Sequence, residues 1–316
     1  MNTMEVLTII AHIIGGFIFL LLGGNWLVDG GVAIARRFRI SPLVIGMTIV
    51  AFGTSAPELL VSLISAIKGS SGIAVGNVVG SNIVNICLIL GLTAVISPIV
   101  TDKKKVLSNG TVMIAASLLL PLFALNSHIS RLEGITLFLG LILFTAISVR
   151  KGRMSGEDLK NQYSDKKNLP LKKALLFTIA ACGLLAVGAD ILVDGATKLA
   201  QDIGVSDKVI GLTIVALGTS LPELAASVAA AFKKQMDISI GNIIGSNIFN
   251  ILCVLGISAS IKPISIVNDS FQNDFWWMIG FSVALLILAC LKQGRLGRTA
   301  GIILLAGYAV YSWLLF

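Results

Sequence analysis

The sequence predicts an all-α polytopic membrane protein, with ten transmembrane helices arranged as two inverted five-helix repeats. Three observations predict it. Hydrophobic residues make up 56% of the 316 residues and charged ones only 13%, about half the charge content of a soluble domain. Apolar runs long enough to cross a bilayer recur along nearly the whole chain. Finally, Leu27–Pro98 aligns with Leu192–Pro263 at a constant offset of 165, without a gap, giving 36 identities in 72 positions. That similarity marks an internal duplication.

The candidate spans are 6–28, 43–67, 73–97, 106–125 and 132–150 in the first half. In the second they are 171–193, 208–232, 238–261, 275–291 and 299–316. Glu5 and the lack of a basic leader predict a first span and not a cleaved signal peptide. Residues 1–150 form the first repeat around the motif region 43–98, and 171–316 form the second around 208–263. Between them 151–170 is polar and charged, too short for a folded domain, and reads as a cytoplasmic linker.

The basic residues test the span count. With the linker inside, the inside loops hold 19 of the 24 Lys and Arg, among them Arg36, Arg37, Arg39, Lys103 to Lys105, Lys233 and Lys234. The outside loops hold Lys68, Arg131, Lys198, Lys208 and Lys262. This asymmetry follows the positive-inside rule and predicts a cell-membrane protein with both termini extracytoplasmic. It also reads the net charge of +8 as topology and not as a nucleic-acid patch. Each repeat has an odd number of spans, so the second enters from the opposite side. That is the inverted plan of many secondary transporters.

The four cysteines stand singly in apolar segments and read as small core residues. Asp29 and Asp194, equivalent by the repeat, read as interfacial groups at the ends of spans 1 and 6. His12 and His128 are isolated. Trp276, Trp277, Tyr311 and Trp313 read as membrane-interface anchors.

The chemistry concentrates in Gly53-Thr54-Ser55-Ala56-Pro57-Glu58 and its copy Gly218-Thr219-Ser220-Leu221-Pro222-Glu223. A carboxylate within a span is costly and therefore points to function. Glycine and proline in the same turn break a helix and free backbone carbonyls. On a helix Thr54, Ser55, Glu58 and Ser62 share one polar face, as do Thr219, Ser220, Glu223 and Ser227. The next span carries Ser81 and Asn85 at i and i+4, repeated as Ser246 and Asn250. Gly76 with Gly80, and Gly241 with Gly245, make small-residue faces for close helix approach.

No basic residue lies centrally in any span, so neither glutamate has an evident ion-pair partner, and two glutamates brought together would repel each other. A bound cation removes both problems. Two carboxylates with neutral oxygens suit one divalent ion or a few monovalent ones. Calcium accepts six to eight oxygens in loose geometry, whereas magnesium retains its waters. Transition metals would call for His or Cys, absent from both motifs. The residues favour calcium, with sodium as counter-ion, and the ions are cargo; no cofactor or obligate protein partner is expected.

These motifs, with the GSNIVN and GSNIFN stretches that follow them, resemble the alpha-1 and alpha-2 repeats of the sodium/calcium exchangers. That family lies in the calcium/cation antiporter superfamily, and the prokaryotic members look closest. The resemblance covers all ten spans. It implies that Glu58 and Glu223 ligate calcium with the carbonyls of Thr54 and Thr219. It implies that Ala51, Ser55 and Ser81 contribute to one sodium site, and Ala216, Ser220 and Ser246 to its symmetry mate, with Asn85 and Asn250 completing the polar centre. Potassium-dependent relatives use an acidic residue where Asn250 stands, so potassium co-transport is not expected. Nor is regulation by separate domains, because 151–170 has no room for the insert of the animal exchangers.

The function expected is secondary active exchange of sodium for calcium by alternating access, electrogenic and potassium-independent. Spans 1 and 6 are the expected gating elements. Calcium/proton exchange on the same fold is the runner-up. An intramembrane hydrolase lacks its HExxH, Ser–His, Ser–Lys or paired-aspartate signature. A passive channel would fail to accumulate ions against a gradient.

Overall fold

The computed structural model describes residues 3–155, 169–204, 216–266, 268–291 and 294–315. The first half contains α1 (Thr3–Phe38), α2 (Pro42–Thr54), α3 (Ala56–Ile67), α4 (Ser71–Ile96), α5 (Lys103–Leu125) and α6 (Arg131–Lys151). The second contains α7 (Leu171–Asp202), α8 (Ala216–Gly218), α9 (Leu221–Phe232), α10 (Met236–Ile261), α11 (Asn268–Leu291) and α12 (Arg298–Leu315). Among the described residues eight helices are long and apolar enough to cross a membrane, and the bent pair α2–α3 makes a ninth. The remaining expected span, the seventh at 208–232, begins outside the described residues and continues as α8 and α9. Most of the linker, including Gly156 to Asp158, also lies outside them.

Two spans are longer than the sequence suggested. α1 runs to Phe38 and α7 to Asp202, so Asp29 and Asp194 lie within helices and not at their ends. Each has a partner that meets its charge there: Lys233 Nζ lies 2.6 Å from Asp29 Oδ1, and Lys198 Nζ lies 2.8 Å from Asp194 Oδ2. His12 is not isolated either, since its Nδ1 lies 2.8 Å from Asp194 Oδ2.

α1 and α7 form the largest helix–helix contact. Glycines set their separation. A Cβ on Gly16 would lie 2.8 Å from the Gly188 carbonyl, and one on Gly30 would lie 2.9 Å from that of Ala174. Residue number rises on one helix as it falls on the other, so these two equivalent helices are antiparallel, as inversion of the repeat requires. Their shared apolar cluster is separate from the larger core, which lies around α4, α5, α10 and α11. α10 is almost wholly enclosed and α4 largely so, whereas α1, α6 and α12 expose apolar side chains such as Leu21, Leu143 and Ile302. Such exposure suits lipid and would be unusual on a soluble monomer.

The connections sort by side. Met154 N–H donates to Arg39 O at 2.8 Å, joining the loops after α1 and α6. Strand β1 (Ile99–Val100) pairs antiparallel with β4 (Arg295–Leu296), and Thr101 Oγ1 donates to Asp237 Oδ1 at 2.8 Å. These contacts join the loops that follow spans 3, 7 and 9. On the other side β2 (His128–Ile129) pairs with β3 (Ile264–Ser265), and Lys262 Nζ donates to Ile67 O at 3.0 Å. Odd loops meet odd loops and even loops meet even ones, the parity that ten crossings produce.

Two of the expected interface anchors pack inward. Tyr311 is buried and donates to Asp274 Oδ1 at 3.0 Å, which gives that half-buried acid a partner. The Trp277 ring stacks on Phe281 at 5.4 Å. Trp276 and Trp313 are exposed.

Candidate ion-binding site

The break between α2 and α3 follows from Pro57. Its nitrogen has no hydrogen to give the Gly53 carbonyl, and its ring crowds the preceding turn. Ser55 leaves helical geometry at φ −85° and ψ 9°, and the two segments meet at 49°. Thr54 ends α2, while Glu58 sits in the first turn of α3. The four-residue spacing therefore does not lay Thr54, Ser55 and Glu58 along one straight helix face, as the sequence suggested; the kink turns them towards one centre. Pro222 does the same in the second half, with Ser220 at φ −92° and ψ 2° before α9.

The two broken helices face each other, and their serines cross over. Ser55 Oγ donates to Glu223 Oε1 at 2.9 Å, and Ser220 Oγ donates to Glu58 Oε1 at 3.5 Å. Both glutamates are fully buried. Each lies at a helix N-terminus, where exposed N–H groups and the macrodipole favour negative charge.

A second layer of asparagines holds each break in place. Asn77 Nδ2 donates to Glu58 O at 3.2 Å and to Ser62 Oγ at 2.9 Å; Asn242 Nδ2 donates to Glu223 O at 3.3 Å and to Ser227 Oγ at 3.1 Å. Thr54 Oγ1 donates to Asn242 Oδ1 at 3.2 Å, and Thr219 Oγ1 to Asn77 Oδ1 at 3.4 Å. On the pseudo-twofold axis Asn82 and Asn247 exchange bonds, each Nδ2 lying 3.3 Å from the other's carbonyl. Asn85 Nδ2 donates to Asn247 Oδ1 at 3.1 Å, and Asn250 Nδ2 to Asn82 Oδ1 at 3.0 Å. Asn85 and Asn250 open matched π-helical turns, Asn85–Leu90 and Asn250–Leu255, which aim these side chains at the centre. Asn77, Asn82, Asn242 and Asn247 were not singled out from the sequence. The signal was there, because each is identical to its mate at the offset of 165.

Five oxygens of this network are buried with no hydrogen-bond partner: Glu58 Oε2, Glu223 Oε2, Ser81 Oγ, Asn85 Oδ1 and Asn250 Oδ1. All five belong to residues singled out from the sequence. Buried polar atoms are rarely left unsatisfied, and these are all oxygens that can face a cation. No group of three or more His, Cys, Asp or Glu that could hold a metal ion occurs among the described residues. The donor set is thus two carboxylates among neutral oxygens, which suits a hard cation.

The structure places the remaining site residues around this centre unevenly. Ser246 Oγ donates to Glu223 Oε1 at 3.2 Å and lies 3.4 Å from Thr54 Oγ1, so Ser55 and Ser246 share one acceptor. The Ala51 carbonyl accepts the Ser55 N–H at 2.9 Å, and Ala216 opens α8. Among the described residues the expected close approach at the small-residue faces is seen on α10. A Cβ on Gly241 would lie 2.4 Å from Leu43 O, and one on Gly245 would lie 2.5 Å from Met47 Cα. A Cβ on Gly76 would lie 3.5 Å from Phe271, and residues 208–212, equivalent by the repeat to Leu43 to Met47, lie outside the described residues.

Comparison with known proteins places the chain in a family. The family described as sodium/calcium exchanger protein matches residues 8–150 and 173–316. The chain is 35% identical over 312 residues to the inner membrane protein YrbG of Escherichia coli, covering 97% of this chain and 96% of that one. It is 32% identical to the sodium/calcium exchanger MaX1 of Methanosarcina acetivorans, over 95% and 96% of the two chains. Its fold is similar to a solved structure of the sodium-calcium exchanger NCX_Mj soaked with 10 mM Na+ and 10 mM Sr2+. There the TM-score is 0.83 and the identity 35%, over 96% of this chain and 97% of that chain. The chain belongs to the sodium/calcium exchanger family and is a multi-pass membrane cation/calcium exchanger, not an enzyme.

Proposed function

We propose that this chain exchanges sodium for calcium by alternating access, with Glu58 and Glu223 as the shared ligands. The observation that carries the reading is that each glutamate keeps Oε2 buried and without a partner, and no ion pair to either is present among the described residues. Calcium would neutralise both carboxylates, with the Thr54 and Thr219 carbonyls completing its shell. Sodium would use Ala51, Ser55 and Ser81 on one side and Ala216, Ser220 and Ser246 on the other, beside Asn85 and Asn250.

With both glutamates ionised, a calcium-loaded centre is neutral and a centre with three sodium ions carries one positive charge. Exchange in that ratio is electrogenic. Asn250 is neutral, so potassium has no added acid to bind, and transport is potassium-independent. The linker side is cytoplasmic on the distribution of basic loops, which places both ends of the chain outside.

The test is calcium-45 uptake into sealed vesicles loaded with sodium. Uptake that follows the sodium gradient, responds to membrane potential and ignores potassium fits this reading. Uptake indifferent to sodium but driven by a pH gradient would replace it with calcium/proton exchange. The same buried carboxyl pair supports that second reading, since protons could also neutralise it.

A further inference from the structure

On the linker side Lys233, just beyond α9, places Nζ 2.6 Å from Asp29 Oδ1 and donates to Asn25 O at 2.9 Å. Both acceptors lie on α1. The repeat offset maps Lys233, Asp29 and Asn25 onto Lys68, Asp194 and Asp190. Lys68 follows α3, and the two aspartates lie on α7. On that far side the equivalent pair is not made: Lys68 is exposed, and Asp194 is held by Lys198 and His12.

The helices follow the ion pairs. α1 packs along α9, so closely that a Cβ on Gly24 would lie 2.7 Å from Ala225 O, whereas α7 makes no comparable contact with α3. The apolar cluster shared by α1 and α7 takes in Ala226, Ala229 and Ala230 of α9 and no residue of α3. The α1–α7 pair is therefore docked on α9 and not on α3, although it also packs on α2 through Ile45 and Val50. α9 carries Glu223 and α3 carries Glu58, so each docking surface leads directly to one of the two carboxylates.

We propose that Lys68 and Asp194 form the counterpart ion pair when the centre opens to the linker side, so that Asp29–Lys233 and Asp194–Lys68 are made in alternation. The proposal rests on the alternating-access reading above and adds residues that touch none of the proposed ion ligands. A contact made in only one of two states biases the equilibrium towards that state. An exposed ion pair shifts an equilibrium constant by roughly two- to fivefold. Asp190 adds a second acid on the far side, where Asn25 offers only its backbone carbonyl.

Two measurements test it. In protein with Cys87, Cys182, Cys253 and Cys290 replaced by alanine, a short bifunctional thiol reagent is applied to Asp29→Cys/Lys233→Cys and, separately, to Lys68→Cys/Asp194→Cys. Each pair is expected to cross-link, each cross-link to stop transport, and the four-cysteine protein to take one cross-link per molecule. Both cross-links in one molecule, or none at Lys68→Cys/Asp194→Cys under any ion condition while the parent still exchanges sodium for calcium, overturns the proposal and leaves the exchanger reading standing. A parent that binds and moves other ions but never couples sodium to calcium overturns the exchanger reading instead.

The second measurement keeps the native cysteines. Lys233→Gln and Lys68→Gln are expected to shift the ratio of half-saturating calcium concentrations at the two faces by about two- to fivefold, in opposite directions. Shifts of the same sign, or no shift in either variant, overturn the alternating pairs.

Discussion

The Ser55 hydroxyl donates to Glu223 Oε1 at 2.9 Å, across the boundary between the two repeats. The helix that supplies one carboxylate thus orients the other, and neither half holds a finished centre alone. Ser220 returns the bond to Glu58 at 3.5 Å, so the exchange is uneven.

That unevenness is measurable. Ser55→Ala removes a hydrogen bond to a charged acceptor, worth about 1.5–3 kcal/mol. Half-saturating calcium is expected to rise at least tenfold, on the order of the lower end of that range. Ser220→Ala, with the longer bond, is expected to give the smaller rise. Calcium-45 uptake across a concentration series checks both, and equal effects would count against the geometry.

Glu58→Gln or Glu223→Gln is expected to abolish exchange while leaving a monodisperse protein. Each removes one of two like charges facing across a buried centre, so the ion-free variant should melt no lower than the ion-free parent. A thermal-shift assay in chelator, with transport measured on the same preparation, separates loss of ligand from loss of fold. Calcium should raise the melting temperature of the parent and not of the variants.

The packing of α10 on α2 gives a third expectation. Gly241→Ala forces a Cβ to 2.4 Å from the Leu43 carbonyl, and overpacking of this kind costs about 1–3 kcal/mol. Thermal stability in detergent should fall, and a parental melting temperature would count against this packing.

Asn82→Ala removes the acceptor of Asn250 Nδ2 and the donor to Asn247 O together. Leaving a buried amide unpaired costs about 1–3 kcal/mol. We expect lower thermal stability and weaker sodium competition against calcium. A competition assay that gives parental values for both would remove Asn82 from the centre.

The plan of the molecule was largely legible in the sequence, because hydrophobic length, loop charge and the 165-residue offset are all linear properties. The glutamates, the serines, Asn85 and Asn250 were legible for the same reason: polar groups in apolar spans stand out. What could not be read was where the helix breaks fall in space. Thr54 and Ser55 read as neighbours of Glu58 on one face, but the turn at Ser55 sends its hydroxyl across to Glu223. The reach of α1 and α7 is not legible either: Asp29 and Asp194 read as helix ends, but both helices run on, and Lys233 and His12 come from other elements while Lys198 lies one turn along α7. The inward packing of Tyr311 depends likewise on Asp274, on another helix.

The matched π turns carry a historical consequence. A π turn arises as one extra residue within an α-helix, and the turns Asn85–Leu90 and Asn250–Leu255 are equivalent in register. One insertion before the copying event explains both more simply than two afterwards. Each half carries one such turn and one buried glutamate, so a centre with both carboxylates exists only where two oppositely inserted halves face each other.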